Sequence, residues 1–160
     1  MKKIQLNNSR KTKNYRKYFA LVDDEDFELV SQYKWSISSY GYAECRDSEH
    51  KILGMHRLII PTKSGMKIDH INMNPLDNRR ENLRICTHRQ NLWNRIKPTN
   101  NTSGFKGVSW EKRRNKWRAS ICKNYKQFSL GEFFTKNEAA LAYNRKAREL
   151  FGNFARLNTI

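Results

Sequence analysis

Residues 67–95, KIDHINMNPLDNRRENLRICTHRQNLWNR, constrain this chain more than any other stretch. A short apolar segment ends in Asp69-His70, and an asparagine-rich loop follows with Asn72, Asn74, Pro75, Asp77 and Asn78. An apolar-alternating run over 83–87 then leads into a segment of helical character that carries Asn91 and Asn94. The order predicted is strand, long loop, strand, helix. It sets a carboxylate beside an imidazole and returns a side-chain amide on the helix. Asp and Asn supply the oxygen ligands that a hard metal ion prefers. A histidine supplies a base able to take a proton from water near neutral pH. No other stretch of the chain offers both.

The formal net charge is +17 at pH 7 over 160 residues, which points to a polyanionic partner, nucleic acid above all. The charge is uneven. Residues 1–50 hold 9 Lys/Arg against 8 Asp/Glu, residues 51–100 hold 10 against 3, and residues 101–160 hold 13 against 4. The basic surface therefore belongs to the middle and the end. Aromatic residues at 12% suffice for real cores, unlike a disordered basic tail. Cys45, Cys86 and Cys122 are odd in number and far apart, with no CxxC. No structural zinc and no disulfide framework are expected, and a reducing cytoplasm fits. The first residues, MKKIQLNNSRKTKNYRK, lack the apolar centre of a signal peptide, and no run is long and apolar enough to span a bilayer. Neither a membrane nor a small-molecule cofactor is expected as a partner.

Upstream, strands are predicted near 3–6 and over 17–22. Asp23-Asp24-Glu25-Asp26 reads as an acidic turn in which Asp23 or Asp24 caps a helix running to about Tyr33. It lacks the Gly and the distant Glu of a calcium loop. Residues 35–38 and 41–46 flank Ser39-Tyr40 as a hairpin, and 51–55 read as a strand running on into His56-Arg57-Leu58-Ile59-Ile60. Downstream, 97–103 (KPTNNTS) has the composition of a linker. Alternating runs over 105–112, 117–122 and 127–133 predict three strands. A helix follows, with Thr135 and Glu138 as a capping box, an apolar stripe from Ala139 to Phe151, and Gly152 as its stop. On the middle strand Trp117, Ala119 and Ile121 face the helix, while Lys116, Arg118, Ser120 and Cys122 share the other face. Such a face can enter a major groove, or it can simply be solvated.

These motifs resemble known families. Asp69-His70, NPLDNRRENLR and Gln90-Asn91 with Asn94 resemble the HNH endonucleases found as homing and free-standing phage enzymes. LVDDEDFELVSQYKWSISSYGYAEC and MHRLI extend that resemblance upstream. FKGVSW, KWRASI, SLGEF, the Ala- and Tyr-rich helix and FGNFARLN resemble an AP2/ERF DNA-binding domain. The resemblance implies an α+β fold: a small antiparallel sheet leading into a ββα-metal core, then an AP2-like three-stranded antiparallel sheet packed on one helix. It implies an HNH domain over 1–97, a linker over 98–103 and the AP2-like domain over 104–160.

The resemblance also implies roles. His70 matches the general base that activates water. Asp69 and Asn91 match the metal ligands, and Asn82 matches the residue that supports the loop and helps orient His70. Asn91 stands where a second His is common, the Asn-type variant of the signature. Mg²⁺ is the implied ion, with Mn²⁺ able to substitute. In the AP2-like part, Ser109, Ser120, Cys122 and Ser129 stand where plant regulators carry base-reading Arg or Trp, and Lys106 stands where an Arg is usual. The target sequence therefore does not carry over. Lys106, Arg113, Arg114, Lys116, Arg118 and Gln127 are the candidate DNA contacts. Asn78 reads as a loop-holding residue, Trp110 as a packing residue, and His56 and His88 as supports of the site or phosphate contacts. The expectation is a metal-dependent endonuclease acting on double-stranded DNA, as a monomer that nicks one strand per active site. Its place is the cytoplasm, the bacterial host's if phage-encoded. The rivals are an AP2-like regulator carrying an inactive HNH relic and an RNA-binding or structural basic protein.

Overall fold

The computed structural model describes residues 1–7 and 17–160; the polar, basic run over 8–16 lies outside the described residues. The chain divides into two compact units, Met1–His88 and Arg89–Ile160.

In the first unit, alternation along β1 (Lys2–Leu6) and β2 (Tyr18–Val22) puts Ile4, Leu6, Ala20 and Val22 on the buried face of an antiparallel pair. A short helix, α1 (Phe27–Ser31), buries Val30, whose carbonyl accepts the Trp35 indole N–H at 2.7 Å. Strands β3 (Ser36–Ile37), β4 (Ala43–Arg46) and β5 (Ile52–Gly54) form an antiparallel sheet in that order. The hairpin read at Ser39-Tyr40 joins β3 to β4. The strand read over 51–55 forms as β5, and the residues it runs into fold as a helix, α2 (Met55–Ile59). Five residues are too few to reveal a helical period, and Met55 and Ile59, one turn apart, supply its buried face. Strands β6 (Lys67–His70) and β7 (Leu83–Cys86) pair antiparallel across the long loop 71–82. One core cluster, including Leu6, Val22, Val30, Trp35, Met55 and Leu83, holds these pieces together.

The acidic turn does not cap α1. Asp26 stands at the N-cap position, but no side-chain bond closes the cap. Its carboxylate instead accepts Arg80 Nε and Nη2 at 2.8 and 2.7 Å, while Asp23 Oδ2 accepts the Arg80 backbone N–H at 2.8 Å. Two charge-assisted bonds to a guanidinium outweigh one bond to a backbone amide. Backbone bonds reinforce the tie, since Leu21 donates to the Leu76 carbonyl and Asn78 donates to the Leu21 carbonyl, each at 2.8 Å. The loop after His70 is thus fastened to β2 and the start of α1.

A third helix, α3 (His88–Trp93), begins at the division between the units. In the second unit β8 (Val108–Glu111), β9 (Lys116–Lys123) and β10 (Lys126–Phe133) make an antiparallel sheet with β9 in the middle. Helix α4 (Lys136–Phe151) packs on one face of it. Its capping box is formed as read: Thr135 Oγ1 accepts the Glu138 N–H at 3.2 Å and the Glu138 carboxylate accepts the Thr135 N–H at 3.0 Å. Ala139, Ala140, Tyr143, Ala147 and Phe151 are all buried, and Val108, Ala119 and Ile121 meet them from the sheet. The alanines let helix and sheet approach closely. Trp93 stacks on Phe151 with ring centroids 4.6 Å apart. Asn158 near the C-terminal end exchanges two bonds with Asn144 and two with the Lys106 backbone.

Candidate active site and nucleic-acid interface

Strand register sets the site. In the β6–β7 pair Asp69 lies opposite Arg84, and His70 opposite Leu83. Asp69 and His70 are both buried, so the hairpin is covered on each face here. Arg84 Nε and Nη2 reach the same carboxylate oxygen, Asp69 Oδ2, at 2.9 and 2.5 Å. The guanidinium therefore orients the acid.

His70 sits in a nest of rings. The His56 ring meets it edge-on with centroids 5.4 Å apart, and the Tyr42 ring lies 5.7 Å away and touches His56 as well. His70 Nε2 lies 3.4 Å from Asn78 Oδ1. With the Nε2 proton turned toward that amide oxygen, Nδ1 keeps the lone pair. Burial holds the His70 pKa below the ordinary imidazole value, against the opposing pull of Asn78 and of the Asp69 and Asp77 carboxylates. A neutral imidazole is the form that can take a proton. Burial, aided by the neighbouring His70 and Arg57, lowers His56 to about 4, so it is neutral too. His56 Nδ1 and Asn78 Nδ2 are buried and find no hydrogen-bond partner among the described residues.

The loop is a net of amides. Asn82 Oδ1 accepts the Asn72 N–H at 2.9 Å, and Asn82 Nδ2 donates to the Asp77 carbonyl at 2.7 Å. Asp77 takes Arg79 on both oxygens at 2.8 Å and Asn72 Nδ2 at 2.8 Å. Arg79 holds the Asp77 carboxyl below its ordinary range. Asn82 thus acts on the loop that follows His70, whereas the contact to the imidazole comes from Asn78. Sequence gave Asn78 only a loop role; its spacing from His70 carried no sign that the loop folds back on the ring. Asn91 lies on α3, in the second unit.

As a metal donor, Asp69 offers a pre-oriented carboxylate, the hard oxygen that a divalent cation of the Mg²⁺ kind accepts. Among the described residues no group of three or more His, Cys, Asp or Glu is arranged to hold a metal ion.

On the second unit, register places Arg118 between Ser109 and Glu132, and Lys116 opposite Glu111. The face away from α4 is therefore mixed, not uniformly basic. Arg114 pairs with Glu132 at 2.8 Å. Arg113, Arg114 and Arg118 line one shallow cleft with Glu111, Ser129 and Glu132. Gln127 is exposed on the adjoining strand. Lys106 differs from the others. Its ammonium donates to the Trp93 and Arg95 carbonyls at 2.8 and 2.7 Å, and burial with nearby Arg156 and Arg95 lowers its pKa to about 8. That charge is already engaged within the unit, which counts against Lys106 as a DNA contact. Trp110 packs edge-on against Trp117 on the helix side, with centroids 5.1 Å apart.

A neutral, buried histidine beside an oriented carboxylate, on a hairpin closed by an asparagine net and followed by a helix, is the arrangement of a nuclease that hydrolyses phosphodiesters with a histidine base. Comparison with known proteins gives the particular family. The family model for HNH endonucleases matches residues 55–92, and the AP2 domain model matches residues 103–153. An uncharacterized HNH endonuclease of Acanthamoeba polyphaga mimivirus is 36% identical over 148 residues, spanning 89% of this chain and 75% of that protein. Protein 3.8 of Escherichia phage T7 is 42% identical over 96 residues, spanning 60% of this chain and 78% of that protein. No solved structure matches. The chain belongs to the HNH endonuclease family and is a DNA-cleaving enzyme with an AP2 domain. Enzymes of this family generally depend on a divalent metal. No helix among the described residues is long and apolar enough to cross a membrane.

Proposed function

We propose that the chain is a divalent-metal-dependent endonuclease of the homing type, which hydrolyses one phosphodiester of duplex DNA per active site. The observation that carries this reading is His70, buried, neutral and set against Asn78 on a loop that is fastened at both ends. His70 takes the proton of the attacking water. Asn78 holds the ring, Asn82 holds the loop, and Arg84 orients Asp69. Asp69 and Asn91 would hold the ion, Mg²⁺ by preference with Mn²⁺ as a substitute. Bound there, it stabilises the charge that develops on the phosphate and the leaving oxygen.

The AP2 domain targets the cut. Its contact set is Arg113, Arg114, Lys116, Arg118 and Gln127, and a DNA-binding module beside a small nuclease core suits cleavage at rare sites. The division of labour follows the expected domains, nuclease over 1–97 and targeting over 104–160. One site per chain makes a monomer a nicking enzyme.

The test is plasmid cleavage with DNA from the source genome, with Mg²⁺ and with EDTA, comparing the wild type and His70→Ala. Expected is conversion of supercoiled to open-circular DNA with Mg²⁺ only, falling by about 10²- to 10⁴-fold in the variant. Equal nicking by the variant would remove His70 from its role. Cutting in EDTA would remove the metal. A concerted double-strand cut by a monomer would overturn the nicking assignment.

A further inference from the structure

Away from the site already described, the tip of the β9–β10 hairpin is built against its own backbone preference. Register pairs Lys123 with Lys126, leaving Asn124 and Tyr125 as a two-residue loop. Both have positive φ, 51° and 64°. That is the turn whose twist suits a hairpin, and glycine is its usual second residue. Asn tolerates the left-handed region, whereas a bulky aromatic residue there is strained. The neighbouring β8–β9 turn shows the cheaper solution, with Asn115 at φ 50°. Tyr125 recovers nothing by packing, because it is 96% exposed. Backbone strain held by a side chain that touches so little of its own unit points to a partner.

The surroundings indicate which partner. Asn124, Tyr125, Lys126 and Gln127 form one exposed run. Arg89, also exposed, reaches Asn124 Oδ1 at 3.5 Å and lines a cleft of 260 Å³ with Trp93, Cys122 and Tyr125. Arg89 beside the cleft and Lys126, next in the strand with its ammonium 5.6 Å from the Phe128 ring centroid, put two cations near a projecting ring, as suits a phosphate backbone. We propose that Tyr125 is a DNA contact of the second unit: its ring lies against a nucleobase at a groove edge while Arg89 and Lys126 meet the flanking phosphates. The proposal rests on the reading that this unit binds duplex DNA. At a groove edge the ring meets deoxyribose and base edges with its apolar surface and reads no donor or acceptor pattern, so Tyr125 adds affinity with little sequence preference.

The experiment measures binding of a labelled duplex by the full chain in a His70→Ala background, across a salt series, for Tyr125, Tyr125→Gly and Tyr125→Phe. Tyr125→Gly relieves the strained φ, so its melting temperature is expected to hold or rise. Its affinity is expected to fall about 10-fold with an unchanged salt slope, since the phosphate contacts remain. Tyr125→Phe keeps the ring and is expected to bind within about twofold of the parent. Parental affinity in Tyr125→Gly would overturn the proposal while leaving DNA targeting intact. Weaker binding with a shallower salt slope would assign the loss to phosphate contacts and overturn the base contact. No duplex binding by the parent would overturn the targeting reading, and the proposal with it.

Discussion

At the scale of single residues, the first unit keeps two imidazoles neutral in one place. Among the described residues His56 has no hydrogen-bond partner at Nδ1, and its pKa is lowered to about 4 from the ordinary 6.5, chiefly by burial. A histidine lowered on folding binds its proton more readily in the unfolded chain. Its contribution is therefore fully present above about pH 6.5 and is lost as the pH falls toward 4. Over that window the first unit is expected to lose up to about 3 kcal/mol of stability. Thermal melts at stepped pH check this. His56→Phe should flatten the acid limb, and an unchanged limb would mean that His56 is not its source. The pairing of a carboxylate with an imidazole at Asp69 and His70 could be expected from sequence because it is local information. The part played by Asn78 could not, because it depends on where a loop returns in space.

At the scale of elements, patterns that repeat were legible and short ones were not. The alternation of β9 and the stripe of α4 each run long enough to show their period, and Thr135 with Glu138 marks the helix start within four residues of sequence. Helix α2 is a single turn and a half, too short to show its period in the sequence. The acidic turn reads as a cap because its true partner, Arg80, lies far along the chain. One glycine decides how closely sheet and helix meet. Gly107 has φ +74°, and a Cβ there would come within 2.2 Å of the Tyr143 ring and 2.6 Å of the Ser120 carbonyl. Tyr143 is buried and cannot swing clear. Gly107→Ala is expected to cost about 2–4 kcal/mol and to lower the melting temperature of the second unit. A variant that melts like the wild type would show that the approach has slack.

At the scale of the whole molecule, the nuclease needs more chain than its signature. The HNH endonuclease match starts at residue 55. Yet the loop after His70 is bonded to Leu21, Asp23 and Asp26, and Leu83 shares its core with Leu6, Val22 and Trp35. A protein beginning at Met55 is expected to keep only the melting transition of the second unit and to show no Mg²⁺-dependent nicking. A retained first-unit transition with retained cutting would make residues 1–54 dispensable.

The Arg80 clamp also bears on inheritance. Arg80 lies within the signature, while Asp26 and Asp23 lie 54 and 57 positions before it. A recombination joint placed between them would deliver a guanidinium without its acids, or a pair of acids without their cation. Lineages that lose the charge at one end should have lost it at the other, and the two ends should travel together whenever this nuclease is shuffled onto a new DNA-binding partner.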